Sequence, residues 1–351
     1  MNQVSSDNNP GCLVGGAIGD ALGAPIEFYG LEQIRENYGK NGIADFVEFP
    51  MNTGEFTDDT QMTLFTAEAL VSASKQGVIK DSGALTSLAW ESYQRWLVTQ
   101  NYTDFESFYE TENSNIETSW LIKCKELYKN RAPGMTCISA LENGNPGTTE
   151  KPVNNSKGCG TIMRMAPVGI SFQGESERAF KTACELSALT HGHPSGYLSA
   201  GVFASVISDL AVGKALPESI DNSLAILKAW RNHRETLEAV QNSLILFETT
   251  KNKRVDIQAE VIEELGAGWV AEEALSMSLF ATLLFENDFE KGVLFAVNHS
   301  GDSDSTGSIT GNLLGLINGI DGIPRKWISN LRYVNIVEKV ADELWNETTK
   351  S

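Results

Sequence analysis

Basic residues are scarce in this chain. Its 351 residues carry 27 Lys+Arg against 46 Asp+Glu, a formal charge of −19. A surface this acidic repels polyanions, which excludes tracking of nucleic-acid phosphates and docking on anionic lipid as principal functions; bound metal ions or a cationic partner fit better. Histidine is scarcer still, with four residues and no H-E-x-x-H, so the common zinc-hydrolase pattern is missing. The five cysteines (Cys12, Cys124, Cys137, Cys159, Cys184) are odd in number and form no C-x-x-C pair, which argues for a reducing compartment rather than a disulfide framework. Long apolar runs are also missing. The longest uncharged one, from Pro194 to Ser208, falls short of the roughly 20 residues a membrane span needs. Met1 to Pro10 lacks the basic residues of a signal peptide and reads as a flexible tail. A cytoplasmic protein with no nucleic-acid or membrane partner is expected. Period-2 alternation is nearly absent too, with only Ile43 to Phe49 passing for a strand.

What is present reads at helical period. Met62, Phe65, Ala69 and Leu70, and then Ile309, Leu313, Leu316, Ile317 and Ile320, recur at spacings of three and four. Glu142 to Gly160 is polar and rich in Gly, Asn and Pro, too long for an ordinary connection and therefore a candidate binding loop. Asn101 to Asn115 is a second irregular stretch, and neither reads as an interdomain linker. The fold class expected is all-α, one compact domain over residues 11–348.

Glycine is patterned rather than scattered. Gly11, Gly15, Gly19 and Gly23 recur every fourth residue, and Gly307, Gly311, Gly315 and Gly319 do the same near the other end. Each glycine costs a helix interior about 1 kcal/mol relative to alanine, so eight need a reason. A row of missing side chains is a groove into which another helix packs closely. If the two rows cross, the end of one helix lies beside the start of the other, bringing Glu27 to the Gly-Asp-Ser-Asp-Ser-Thr run at 301–306.

Thr57, Asp58 and Asp59 precede an amphipathic helix, and Asp302, Asp304 and Ser305 open the last glycine-rich one. Capping explains either cluster alone: Asp58 with Gln61 resembles a capping box, and acids at a helix start are favoured by its dipole. Two such clusters, with no adjoining Lys or Arg, offer hard oxygens that would repel one another unless protonated or bridged by cations, and oxygen-only ligands select Mg²⁺, Ca²⁺ or Mn²⁺. Gly158-Cys159-Gly160-Thr161 is a weaker signal: small residues let backbone N–H groups approach a phosphate, but a simple turn explains them as well. Cys159 has no base beside it in sequence and reads as a packed small residue. His191 and His193 read as substrate or core contacts.

Taken together, GCLVGGAIGDALGAPIEF (11–28), FTDDTQM (56–62), GCGTIMRMAPVG (158–169), LTH (189–191), GAGWVAEEA (266–274) and GDSDSTGSITG (301–311) resemble the successive blocks of the ADP-ribosylglycohydrolase family, in order and over nearly the whole chain. That resemblance implies an orthogonal helical bundle with a cleft for two Mg²⁺ ions, or Mn²⁺. It implies metal ligation by Thr57, Asp58, Asp59, Asp302, Asp304 and Ser305, the last standing where many members have threonine. Catalytic duty falls on Glu27, Asp58 or Asp59, and contact with ADP-ribose on Gly158, Cys159, Gly160, Thr161, His191 and Trp269, with Cys159 at a position where asparagine is common. The reaction expected is removal of ADP-ribose from arginine side chains of modified proteins. Hydrolysis of serine-linked or other ADP-ribose conjugates is the neighbouring possibility. A different class is an immunity protein that neutralises an ADP-ribosyltransferase toxin by reversing its modification or occluding it, with the acidic, aromatic stretch Tyr102 to Glu117 as the surface for such a partner.

Overall fold

Residues 9–48, 53–101, 119–252 and 259–348 are described by the computed structural model, and their regular structure is helical. In chain order the helices are α1 (Asn9–Gly23), α2 (Leu31–Tyr38), α3 (Asp58–Lys75), α4 (Ser82–Asn101), α5 (Met135–Glu142), α6 (Ala166–Ser171), α7 (Ser176–Ala188) and α8 (Pro194–Leu210). They continue as α9 (Leu216–Leu227), α10 (Arg234–Thr250), α11 (Glu260–Glu263), α12 (Ala271–Leu284), α13 (Phe289–Val297), α14 (Ser303–Asn318), α15 (Arg325–Asn330) and α16 (Val334–Thr348). Among the described residues one isolated bridge, Gly158 with Val270, is the only β pairing. One main hydrophobic core runs through all of it, so the all-α, single-domain expectation is met. No described helix is long and apolar enough to cross a membrane.

The glycine rows decide how the chain's two end regions meet. A Cβ built on Gly11 would lie 2.5 Å from the Gly315 carbonyl oxygen, on Gly15 2.3 Å from that of Gly311, and on Gly19 closer still to that of Gly307. The register is antiparallel, and α1 and α14 touch backbone to backbone along their length. Gly23 ends the row against the Ser303 carbonyl. The C-terminal end of α1 is thereby pressed onto the N-terminal end of α14, the juxtaposition that the glycine spacing anticipates.

The rest of the bundle builds on this pair. α8 is apolar or small on every face, and Ser195 through Leu210 are all buried, as a helix without a polar face must be. It packs against α6, α7, α9 and α12, while α3 lies between α4 and α16. Of the expected strand Ile43–Phe49, the described residues 43–48 do not form one. Residues 43–48 are irregular, because the backbone of Ile43 is satisfied by one side chain: its N–H donates to Asn298 Oδ1 at 2.8 Å and its carbonyl accepts from Asn298 Nδ2 at 3.0 Å. α1 starts at Asn9, two residues inside the expected tail; residues 1–8, and the whole Tyr102–Glu117 stretch, lie outside the described residues.

Candidate active site

Three helix ends converge on one acidic cluster. α1 runs into a short 3-10 turn, Ala24–Ile26, that delivers Glu27 to the start of α14. α3 brings Thr57, Asp58 and Asp59, and α14 brings Asp302, Asp304 and Ser305.

The start of α3 is capped in a way that differs from the capping box read in its sequence. Thr57, not Asp58, is the N-cap, its hydroxyl accepting from Asp59 N at 3.3 Å. Gln61 turns away to accept from Trp96 Nε1 at 3.2 Å and Gln100 Nε2 at 2.8 Å. Of the other donors there, Asp58 N goes to the Arg131 carbonyl at 3.2 Å, while Asp20, a fully buried acid inside α1, accepts from Thr57 N at 2.9 Å, Thr60 N at 3.0 Å and the Thr60 hydroxyl at 2.5 Å. Capping is thus shared between Thr57 and an acid from another helix, and the Asp58 and Asp59 side chains are released from it. Asp58 keeps one bond, from Gly134 N at 3.3 Å, and Asp59 Oδ2 is buried with no partner. At α14 the N-cap is Asp302, which accepts from Ser305 N at 3.3 Å; Asp304 accepts from the same N–H at 2.9 Å and from the Thr57 hydroxyl at 3.3 Å.

Carboxylate oxygens of Glu27, Asp302 and Asp304 all lie within 4.8 Å of one another, and these side chains together with Asp58 and Asp59 are buried. None of the five is in an ion pair with Lys or Arg among the described residues. The electrostatic consequence is uniform. Burial, followed by repulsion from Asp304, pushes Asp58, Asp59 and Asp302 well above the ordinary carboxylate range. The same two causes raise Asp20 to about 7 and Glu27 to about 11. Burial raises Asp304 itself. Such a set needs protons or cations to exist in a folded interior, and its donors, hard oxygens alone, suit Mg²⁺ or Mn²⁺. An orphaned buried oxygen on Asp59 beside them fits the same reading.

Cys159 is not a passive filler. It is half-buried, and its thiol donates to Asp302 Oδ2 at 2.7 Å, joining the Gly158–Thr161 loop to the acids. The loop is fixed from behind: Cys159 N donates to the Trp269 carbonyl at 3.2 Å and Ala271 N to that of Lys157 at 2.8 Å. Gly158 and Gly160 face His191, whose Nε2 would lie 3.4 and 3.3 Å from a Cβ at either position. Burial, then the nearby Arg164 charge, pushes the His191 imidazole down to about 3, so it is neutral across the physiological range. The Thr161 side chain is fully buried and donates back to the Gly158 carbonyl at 3.1 Å, which makes it a brace of the loop. His193 is not at the site; it caps α8 through Ser195 N at 3.2 Å. Trp269, 42% exposed, stacks on Phe28, 71% exposed, with ring centroids 5.7 Å apart. The pair stands at the rim, since Phe28 follows Glu27 and Gly268 backs onto Asp302.

A model described as ADP-ribosylglycohydrolase matches residues 2–351. The chain belongs to the ADP-ribosylglycohydrolase family. Among curated proteins it is 26% identical over 347 residues to the ADP-ribosylarginine hydrolase Tri1 of Serratia proteamaculans (strain 568), covering 97% of this chain and 80% of that one. It is 22% identical over 329 residues to the ADP-ribosyl-[dinitrogen reductase] glycohydrolase of Rhodospirillum rubrum, covering 93% and 90%. Among solved structures, an ADP-ribosylglycohydrolase-related protein complex superposes with a TM-score of 0.66 at 23% identity, covering 97% and 98% of the two chains. The family resemblance read from the sequence is borne out.

Sequence reasoning missed three participants. Asp20 hides within the first glycine row, where a lone acid on an otherwise apolar helix was the available signal. Phe28 is an isolated aromatic beside Glu27. Arg164 stands as a single charge among apolar residues, and no local spacing links it to His191.

Proposed function

We propose that the protein hydrolyses the bond between ADP-ribose and an arginine side chain of a modified protein, using two Mg²⁺ ions, with Mn²⁺ as a substitute. The observation that carries this reading is the convergence of Glu27, Asp302 and Asp304 oxygens with no basic side chain to neutralise them. The family membership and the names of the relatives from Serratia and Rhodospirillum support the substrate class.

Thr57, Asp58, Asp59, Asp302, Asp304 and Ser305 would hold the ions, Ser305 by its hydroxyl. Divalent ions held there would supply Lewis acidity for activating a water and for orienting the sugar. The remaining work belongs to the chain. Cleavage builds oxocarbenium-like positive charge on the ribose, which buried carboxylates stabilise, and it needs a proton delivered to the leaving guanidino nitrogen. Glu27, Asp58 and Asp59 are the proton-transfer candidates, and Glu27 stands nearest the rim marked by Phe28. The Gly160 N–H and the neutral His191 are the donors offered to the diphosphate, since the N–H groups of Gly158 and Cys159 go to the Ser156 hydroxyl and the Trp269 carbonyl, and Trp269 offers a stacking face. ADP-ribose is an anion approaching a strongly acidic chain, so binding relies on the bound ions and these local dipoles rather than on the overall field.

The test is release of ADP-ribose from an arginine-modified protein with Mg²⁺, set beside a serine-linked substrate and an EDTA control. Cleavage of the arginine linkage that EDTA abolishes is expected. Cleavage of only the serine linkage overturns the arginine assignment, and activity untouched by EDTA overturns the metal assignment.

A further inference from the structure

Arg164 is a large polar side chain with no exposure, and it has no carboxylate partner among the described residues. It lies over the Tyr93 ring, its carbon 4.4 Å from the centroid, and its Nη2 donates to the Thr190 hydroxyl at 2.7 Å. The Thr190 oxygen is in turn 2.9 Å from His191 Nδ1. A guanidinium only donates, so the Thr190 oxygen is the acceptor there and its single proton must go elsewhere. Three acceptors are within reach, of which the Cys137 thiol sulfur is a weak one. The Ser187 carbonyl is 3.5 Å away and already accepts from the backbone of Thr190 at 3.2 Å and of His191 at 3.1 Å, which occupies both its lone pairs. His191 Nδ1 is closer and otherwise unbonded, so it takes the proton. With Nδ1 accepting, a neutral imidazole carries its hydrogen on Nε2, the atom that faces Gly158 and Gly160.

We propose that Arg164, acting through Thr190, is a positioning residue that fixes His191 in the Nε2–H form and so keeps a neutral N–H donor aimed at the Gly158–Gly160 loop, where it serves an anionic oxygen of the ligand. Nε2 has no protein acceptor within hydrogen-bonding distance among the described residues, so its hydrogen is available. The buried guanidinium adds a constant positive field behind the donor and strengthens it toward an anion. The anion's identity as diphosphate rests on the function proposed above; the tautomer does not.

The experiment is ¹⁵N-histidine NMR on the full chain, with the His191 signals assigned by their loss in His191→Gln, together with titration of ADP-ribose. Wild type should show the proton on Nε2 from pH 5 to 8. Thr190→Val keeps the shape but removes the relay, so both tautomers should appear and ADP-ribose should bind about tenfold more weakly, the effect of one hydrogen bond. Thr190→Ser should restore both readouts. Arg164→Met frees the Thr190 lone pairs and should also mix the tautomers. If that variant does not fold, Thr190→Val still decides the matter. A proton on Nδ1 in wild type, or an unchanged tautomer in Thr190→Val, overturns the proposal. The expected tautomers with no ADP-ribose binding would support the relay and overturn the proposed function instead.

Discussion

Two neighbouring parts of the candidate site are built on opposite electrostatic terms. On one side Glu27, Asp58, Asp59, Asp302 and Asp304 are buried with no cation. On the other, Arg164 is buried with no carboxylate, and His191 beside it is held neutral. An ion pair within 4 Å would have cancelled both burdens, yet Arg164 is spent on Thr190 and Tyr93, and Asp58 on Gly134. Unpaired buried charge costs several kcal/mol per group, a cost that protons or cations relieve on the first side and that an anion would relieve on the second. A molecule that brings an anionic diphosphate toward bound divalent ions satisfies both at once.

That contrast can be broken from the acidic side with the largest effect. Asp304→Asn keeps the side-chain oxygen that accepts from Ser305 N but removes the charge that repels every other acid in the cluster. Hydrolysis should fall by about a thousandfold, while the metal-free protein should melt at a higher temperature, because a site strained for function is relieved. A variant that melts lower and keeps its activity would show that the repulsion is not real. Next in size is the frame that holds the two sides in register. Gly19→Ala places a Cβ in the Gly307 carbonyl and should cost about 3 kcal/mol in urea denaturation, whereas Gly30→Ala, whose nearest neighbour is the Gln33 Oε1 at 3.9 Å, should stay within about 0.5 kcal/mol.

Acidity offers a subtler probe. The folded state holds protons on carboxyls that would be ionised in the unfolded chain, so their contribution to stability is complete below the ordinary carboxylate range and is lost as pH rises, through about 7 for Asp20. The metal-free protein should therefore weaken between pH 5 and 8, and the rise in melting temperature on adding Mg²⁺ should grow by several degrees over the same window. A gain independent of pH would contradict a carboxylate site. The smallest effect belongs to the neutral side: Gly160→Ala, with its Cβ 3.2 Å from His191 Cε1, should raise KM about tenfold and leave kcat within about twofold.

How far the sequence anticipated this depends on whether a signal was local. Glycines at every fourth position can be read along the chain, and they correctly implied that Glu27 meets the run at 301–306. The acids at two helix starts were legible for the same reason. The full capping was not, because Thr57 shares the start of α3 with Asp20 from another helix, and no spacing within residues 57–61 reports that second partner. Cys159 seemed a mere filler, since its partner Asp302 is 143 residues away. The Arg164, Thr190 and His191 chain joins two blocks whose proximity appears only after α6, α7 and α8 have packed. Ile43–Phe49 misled because apolar alternation resembles a strand, while a single asparagine from the far end of the chain supplies the pairing that a neighbouring strand would have given.

The crossing of α1 and α14 also sets a schedule. Gly315, the partner of Gly11, is made 304 residues after it. At about 5–20 residues per second, α1 waits on the order of tens of seconds for the only surface shaped to receive it. Until then Asp20 has α3 to cap but Glu27 has no Asp302 or Asp304 to face. The acids are therefore scattered among separate segments until α14 has been made, and only then does the acidic cluster come into being.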